Sequence, residues 1–212
     1  MLPAASNRPY RGGKSQLYEG GIRVPLIIRC AGITKAGSLS DFPVISTDLY
    51  TTMLDMAGIP LRPEQHLDGL SLTPLLKGEK KLNRMNLFWH YPQYQTLPPH
   101  SAIRAGNWKL IYHYESNTNE LFNLLSDPSE ANNLAEKEPE LAEKLQKILH
   151  DHLLTIGAQF PQPNPVYKPG VPWRQGSRAG SFDKDYEAAQ ETDPRQYVTD
   201  PSLDYGMNQR SE

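Results

Sequence analysis

One amphipathic helix sets the tightest limit on what this chain can fold into. From Pro139 to Leu154, the residues Leu141, Leu145, Ile148, Leu149 and Leu153 fall on a single stripe, Lys and Glu occupy the other face, and Pro139 suits the first turn. Such a stripe has to be covered, and the residues before it are of the kind that cover helices. "MNLFWHYP" is aromatic and β-prone up to Pro92. "SAIRAGNWKLIYHY" reads as a hairpin in which Ala102–Arg104 and Trp108–Tyr114 flank a turn at Gly106 and Asn107, and "NELFNL" supplies one more short strand. Residues 83–156 are therefore expected to form a small α+β unit, a short antiparallel sheet packed by one helix.

The flanking segments have other textures. Val24–Cys30, "VPLIIRC", has the length and β-branched content of a buried strand. "STDLYTTMLDMAG" reads as a helix with Ser46 or Thr47 as N-cap. Leu49, Met53, Leu54 and Ala57 share one of its faces, and Gly58 is placed to end it in the left-handed conformation. A short helix after Ser71 or Thr73 stops at Gly78. Strand, helix, short helix is the order at the trailing edge of an α/β domain, so residues 1–82 are expected to be such an edge. The 19 prolines crowd after Phe160, and with Gly, Gln and charge they predict an extended tail over 157–212, laid on the body through Phe160, Tyr167 and Trp173.

Composition removes several classes of function. The formal charge of −2 gives no electrostatic footprint for nucleic acid or an anionic membrane. No apolar run approaches the roughly 18–20 residues that span a bilayer, and "MLPAASNRPYRGGK" lacks the apolar core of a signal peptide. The single cysteine, Cys30, excludes an internal disulfide and a Cys/His zinc site; at the end of an apolar run it reads as a small buried core residue rather than a nucleophile.

The chemistry-bearing stretch is "RGGKSQLYEGGIRVP", residues 11–25. Gly12 and Gly13 permit a tight backbone and close approach to a ligand, and Lys14 can set a compact positive charge against an oxyanion. The GxxxxGK[ST] and GxGxxG spacings of nucleotide loops are absent. On residues alone, a solvated surface lysine and an anion contact both stand. Glu19 and Arg23 bracket a Gly pair and are expected to ion-pair across the turn as an exposed brace rather than act as acid and base. The six histidines do not form a metal constellation. His150 and His152 sit about 200° apart on their helix. His90 in "FWHYPQY" and His100 in "PPHSAIR" either line a pocket or pack among aromatics. There is no Gly-x-Ser-x-Gly elbow and no aspartate cluster with metal-site spacing, so residues alone supply no catalytic set and no metal ligands.

Several segments together resemble the type I, formylglycine-dependent sulfatases of the alkaline-phosphatase-like superfamily. The family run "LRxGKGxxYEGGxRVPxIxRWPG" stands here as "YRGGKSQLYEGGIRVPLIIRCAG". It is followed in order by "SDFPVISTDLYTTMLDMAGIP", "LDGLSLTPLLKGE", "NLFWHYPQY", "SAIRAGNWKLIYHYE", "NELFNLLSDPSEANNLA" and the closing helix, over about residues 8–156. The resemblance implies the C-terminal part of a sulfuric ester hydrolase: the edge of the α/β catalytic domain over 1–82, the small C-terminal subdomain over 83–156, then the tail. It implies sulfate binding by Lys14, and contacts from His90, His100 and Arg104 to a sugar hydroxyl or second sulfate. It implies a calcium cofactor and a substrate that is a sulfated carbohydrate or aryl sulfate. It also implies a periplasmic or secreted location, without involvement of nucleic acid or membrane. The departures are as informative. The "C-x-P-S-R" nucleophile motif, the "DNG" motif and the metal-binding aspartates are not in this sequence, so these parts and calcium itself are expected from an upstream sulfatase segment, and the chain alone is expected to be inactive. Locally, Ser15 stands where the family has glycine and Cys30 where it has tryptophan. The alternative is a non-catalytic module, derived from a sulfatase C-terminal region, that binds a sulfated sugar or a partner chain.

Overall fold

A computed structural model describes residues 7–163 and the backbone of residues 197–198. In chain order the elements are α1 (Glu19–Ile22), α2 (Asp48–Met56), α3 (Thr73–Leu76), β1 (Asn86–Tyr91), β2 (His100–Ala105), β3 (Trp108–His113), β4 (Thr118–Asn123), α4 (Pro139–Thr155), β5 (Gln162–Pro163) and β6 (Tyr197–Val198). Residues 7–23 group with residues 88–163 in one unit, and Val24–Leu87 form a second. Residues 7–23 therefore belong with the strand-rich unit and not with the segment that follows them.

The first unit is built on a four-stranded sheet in the order β1-β2-β3-β4. The β2–β3 and β3–β4 pairs are antiparallel, and their registers bring Ile103, Leu110 and Leu121 abreast on one face and Ala102, Ile111 and Glu120 abreast on the other. Both faces are covered, which period-2 alternation makes possible with one strand sequence. On the first face α4 lays Ala142, Leu145, Leu149 and Leu153 against Ile103, Leu110 and Leu121, all buried. On the second face Leu17 and Tyr18, from the Gly-rich N-terminal segment, pack with Leu97, Ala102, Ile111 and Phe122. Gly106 turns the β2–β3 hairpin at φ +59°, the left-handed conformation expected of it. Beyond α4, Phe160 packs edge-on to His90 and Tyr114. The short β5 and β6 pair antiparallel. The rest of the tail expected over 157–212, including Tyr167 and Trp173, lies outside the described residues.

In the second unit, α2 and α3 form where the sequence places them, and Gly58 ends α2 at φ +68°. Two expectations are corrected here. Neither Ser46 nor Thr47 caps α2 by a side-chain bond; Asp48 does the anchoring instead. Its carboxylate accepts the Ile45 and Leu70 N–H groups and a two-pronged bond from Arg84, all with the Asp48 side chain fully buried. The buried side of α2 is accordingly polar (Asp48, Thr51, Thr52), while Met53 on the expected apolar face is 62% exposed.

The second correction concerns Val24–Cys30. Among the described residues this run pairs with no strand, and Val24 and Ile27 are 77% and 92% exposed. Cys30 is half-exposed and not a core residue. A continuous apolar run is suited to a strand covered on both faces, and strand structure needs a ladder partner for its backbone groups. The described residues provide neither.

Candidate functional site

The loop that carries Lys14 is shaped by backbone constraints visible in its glycines. Gly12 adopts φ +76° and Ser15 φ +71°, both left-handed. Gln16 closes the loop internally: its side-chain Oε1 accepts the Gly13 N–H at 3.0 Å, and its own N–H donates to Gly13 O at 3.1 Å. The pair Gly20–Gly21 then passes directly beneath. A Cβ on Gly20 would sit 2.5 Å from the carbonyl oxygens of Arg11 and Gly12, and one on Gly21 would sit 2.0 Å from Gln16 O. Only hydrogen fits at either position, so "GG" reflects close backbone approach.

Two contacts from the segment leading into β2 fix the loop from outside. Thr96 Oγ1 donates to Lys14 O at 3.2 Å, and Leu17 N–H donates to His100 Nε2 at 3.2 Å. Gly13, Gln16 and Leu17 are buried, whereas the Lys14 side chain is exposed. Among the described residues no hydrogen bond or ion pair holds its ammonium. The arrangement is a fixed backbone presenting a solvent-accessible cation.

Beneath the loop lies a polar cluster that sequence reasoning did not single out. Lys109, in the middle of β3 and fully buried, ion-pairs with Glu19 at 3.0 Å and with Glu130 at 2.8 Å. The second oxygen of Glu130 accepts the Glu19 N–H at 2.6 Å, and burial pushes the Glu130 carboxyl above its ordinary value despite Lys109. A neighbouring set centres on Glu120, which accepts from Tyr18 OH at 2.5 Å, Arg11 at 3.0 Å and His113 Nε2 at 2.9 Å. Burial works against the Glu120 charge, but hydrogen bonding and charge from His113, with Arg11 and Tyr18, hold its pKa down at about 2. Burial and the Glu120 charge push the Tyr18 phenol far up, so it stays a donor. The Arg11 guanidinium also lies 4.0 Å over the Tyr18 ring. The signal for this cluster was a lysine inside the apolar run "WKLIY": a lysine facing a covered side of a sheet needs buried acids.

Strand alternation sorts the residues singled out in the sequence. His100, Arg104, Lys109, His113 and Glu120 share the face that carries the Lys14 loop. His100 is fully buried; besides accepting from Leu17 it donates from Nδ1 to Pro98 O at 2.8 Å. Arg104 is half-buried and donates from Nε to Gly106 O at 3.2 Å. His90 is on the opposite, helix-covered face. Its Nε2 donates to Gln159 O at 2.8 Å, so its Nδ1 is the acceptor for Ser101 Oγ at 2.6 Å, and Ser101 in turn takes the Tyr114 hydroxyl proton at 2.9 Å. Burial lowers the His90 pKa and raises that of Tyr114 to about 12, both consistent with this neutral chain. His152 stacks on Phe88 at 3.8 Å and His150 meets Phe160. Glu19 and Arg23 do approach, at 3.6 Å, but Glu19 is buried and its nearer partner is Lys109, so the pair is not an exposed brace. Among the described residues no group of three or more His, Cys, Asp or Glu side chains is placed to hold a metal ion.

Against known proteins, residues 13–159 match the family model described as N-sulphoglucosamine sulphohydrolase, C-terminal. A sulfatase of Formosa agariphila is 34% identical over 175 residues, which cover 74% of this chain and 32% of that protein. Human arylsulfatase K is 37% identical over 146 residues, 65% of this chain and 27% of that protein. The crystal structure of Ps i-CgsB in complex with k-i-k-neocarrahexaose superposes with a TM-score of 0.61 at 28% identity, over 70% of this chain and 32% of that one. The chain thus spans between about a quarter and a third of the length of these relatives.

Proposed function

The chain belongs to the sulfatase family, matching the C-terminal portion of its members, and from that premise we propose that it is the C-terminal part of an enzyme that hydrolyses sulfate esters of a glycan, with Lys14 as its contact to the sulfate. The observation that carries this is the combination at Lys14: an exposed ammonium on a loop whose backbone is held by Gln16, Thr96 and His100. A lysine fixed there offsets the charge that grows on the sulfate and leaving oxygens as the S–O bond breaks. A carbohydrate is the substrate class because Ps i-CgsB, similar in fold, is known in complex with one.

The nucleophile, a formylglycine hydrate, and the calcium ligands are assigned to an upstream segment, in which calcium would polarise the ester oxygens. Of the expected edge over 1–82, the part from Val24 onward is what would border that catalytic domain, since the described residues up to Arg23 group with the sheet unit. The exposed run Val24–Cys30 and the exposed Met53 side of α2 are the surfaces that segment would cover. Arg104, half-exposed on the loop's side of the sheet, keeps the role of a contact to a sugar hydroxyl or second sulfate. The nitrogens of His90 and His100 are committed within the fold; His100, on the loop's side of the sheet, shapes the site, whereas His90 lies on the helix-covered face away from it. No helix among the described residues is long and apolar enough to cross a membrane; a sulfated-glycan substrate favours a periplasmic or secreted location.

The test is turnover of an aryl sulfate and of a sulfated glycan by this chain alone, alongside Lys14→Ala. Absence of turnover above the Lys14→Ala background is expected. Turnover by the chain alone would overturn the division of labour. Tight binding of a sulfated sugar without any contribution to turnover would favour a binding module.

A further inference from the structure

The ring of His100 has its proton placed by its partners. Pro98 O can only accept, so Nδ1 carries the hydrogen; Leu17 N–H can only donate, so Nε2 offers a lone pair. Together these contacts admit one form, the neutral Nδ1–H tautomer. The opposite tautomer, or the imidazolium, would set an N–H against an N–H inside a fully buried site.

We propose that His100 is a positioning residue for Lys14, its Nε2 lone pair holding the Leu17 N–H and thereby fixing the chain three residues beyond the lysine so that the ammonium is presented in one place. This rests on Lys14 being the sulfate contact. At its two ends the segment is tied to the body by Arg11 and Tyr18 on Glu120 and by Glu19 on Lys109 and Glu130; between them, over Lys14–Leu17, the remaining restraints are of two kinds. Gln16 is internal to it and fixes shape but not location. Thr96 reaches the Lys14 carbonyl from the same lead-in to β2 that His100 begins. Between those anchored ends, the Lys14–Leu17 stretch is located by Thr96 and His100 at the start of β2, and His100 is the buried member of that pair of contacts.

The groups facing the ring favour the neutral form. Tyr91 from β1 is 5.7 Å away, and His113 from β3 is stacked at 6.1 Å. Burial first, then the nearby His113, bring the His100 pKa down to about 4; the Pro98 bond and the Glu120 charge act against this, and Lys109 adds a smaller push downward. His100 is thus neutral at physiological pH and able to accept.

Two amide variants of the 212-residue chain, each reproducing one ring-nitrogen position, test this. His100→Gln places an amide oxygen where Nε2 lies and can still accept from Leu17. His100→Asn keeps a donor toward Pro98 but offers Leu17 nothing. Nitrogen NMR of the wild-type ring should show a protonated Nδ1 and a bare, hydrogen-bonded Nε2. Exchange of the Leu17 amide should rise by about tenfold or more in His100→Asn and return close to wild type in His100→Gln, with the Leu110 amide in β3 unchanged in both. A protonated Nε2 in the wild type, or equal Leu17 exchange in both variants, overturns the proposal. If His100→Asn unfolds, the wild-type tautomer and the Gln variant still decide. Inorganic sulfate added to the wild type separates the two readings. Shifts at the Gly13–Ser15 amides that vanish in His100→Asn support both. The expected tautomer and exchange without any sulfate response supports positioning and counts against Lys14 as the sulfate contact.

Discussion

Lys109 Nζ lies 3.0 Å from Glu19 Oε1, so a lysine in the centre of a sheet strand is ionically tied to the acid of the Gly-rich motif 90 residues earlier. Glu130 completes the set, and both carboxylates are at most 3% exposed. Charges so placed are costly unless matched, and removal of one partner costs about 3–5 kcal/mol. Lys109→Met should therefore lower the urea-unfolding free energy by roughly that amount. A loss below about 1 kcal/mol would show that the cluster is not the structural tie described.

Acid should destabilise the fold in two stages. The His100 pKa falls from 6.5 to about 4, so the unfolded chain takes up that proton first and stability drops as pH falls from 6.5 toward 4. Glu120 goes from 4.5 to about 2, so the stability it contributes is present above 4.5 and is lost as pH falls toward 2. Each stage is on the order of 3 kcal/mol. Urea unfolding between pH 7 and 2 checks this: His100→Gln should remove the upper stage and leave the lower, and an unchanged profile would contradict the assignment.

Two single substitutions in the loop should act in opposite directions. Ser15 holds φ +71°, where the related sulfatases are expected to have glycine. A side chain there costs roughly 1–2 kcal/mol. Ser15→Gly gives back part of that as unfolded-chain entropy, for a net gain of about 0.5–1 kcal/mol and a higher Tm. Gly21→Ala forces a methyl to 2.0 Å from Gln16 O and should release the loop, lowering Tm and increasing protease cleavage near Lys14. Equal melting of Gly21→Ala and wild type would refute the close-approach explanation.

Local signals made the sheet unit legible. The stripe Leu141–Leu145–Leu149–Leu153 and the turn at Gly106 are short-range patterns, and α4 and the β2–β3 hairpin form where they specify. Val24–Cys30 and the Met53 face of α2 were misread because apolar sequence records a need for cover, not the presence of the covering element. Lys14 could be singled out from its glycine neighbours. Lys109 is marked only as a charge inside an apolar run; that Glu19 and Glu130 are its partners, and that Glu120 gathers its own set, is not legible, since these groups converge only once the strands are paired. His90 and His100 looked equivalent in sequence; strand alternation sends them to opposite faces.

The most direct measurement is kcat/KM for a sulfated glycan with this chain joined to an upstream sulfatase segment carrying the nucleophile and metal ligands, wild type against Lys14→Ala. Because the Lys14 side chain is exposed, the substitution should leave Tm unchanged. The expected result is a fall of about 10²–10³-fold, as for other groups that stabilise a developing oxyanion. Undiminished kcat/KM in Lys14→Ala, with the fold intact, would contradict the assignment of this loop to the sulfate.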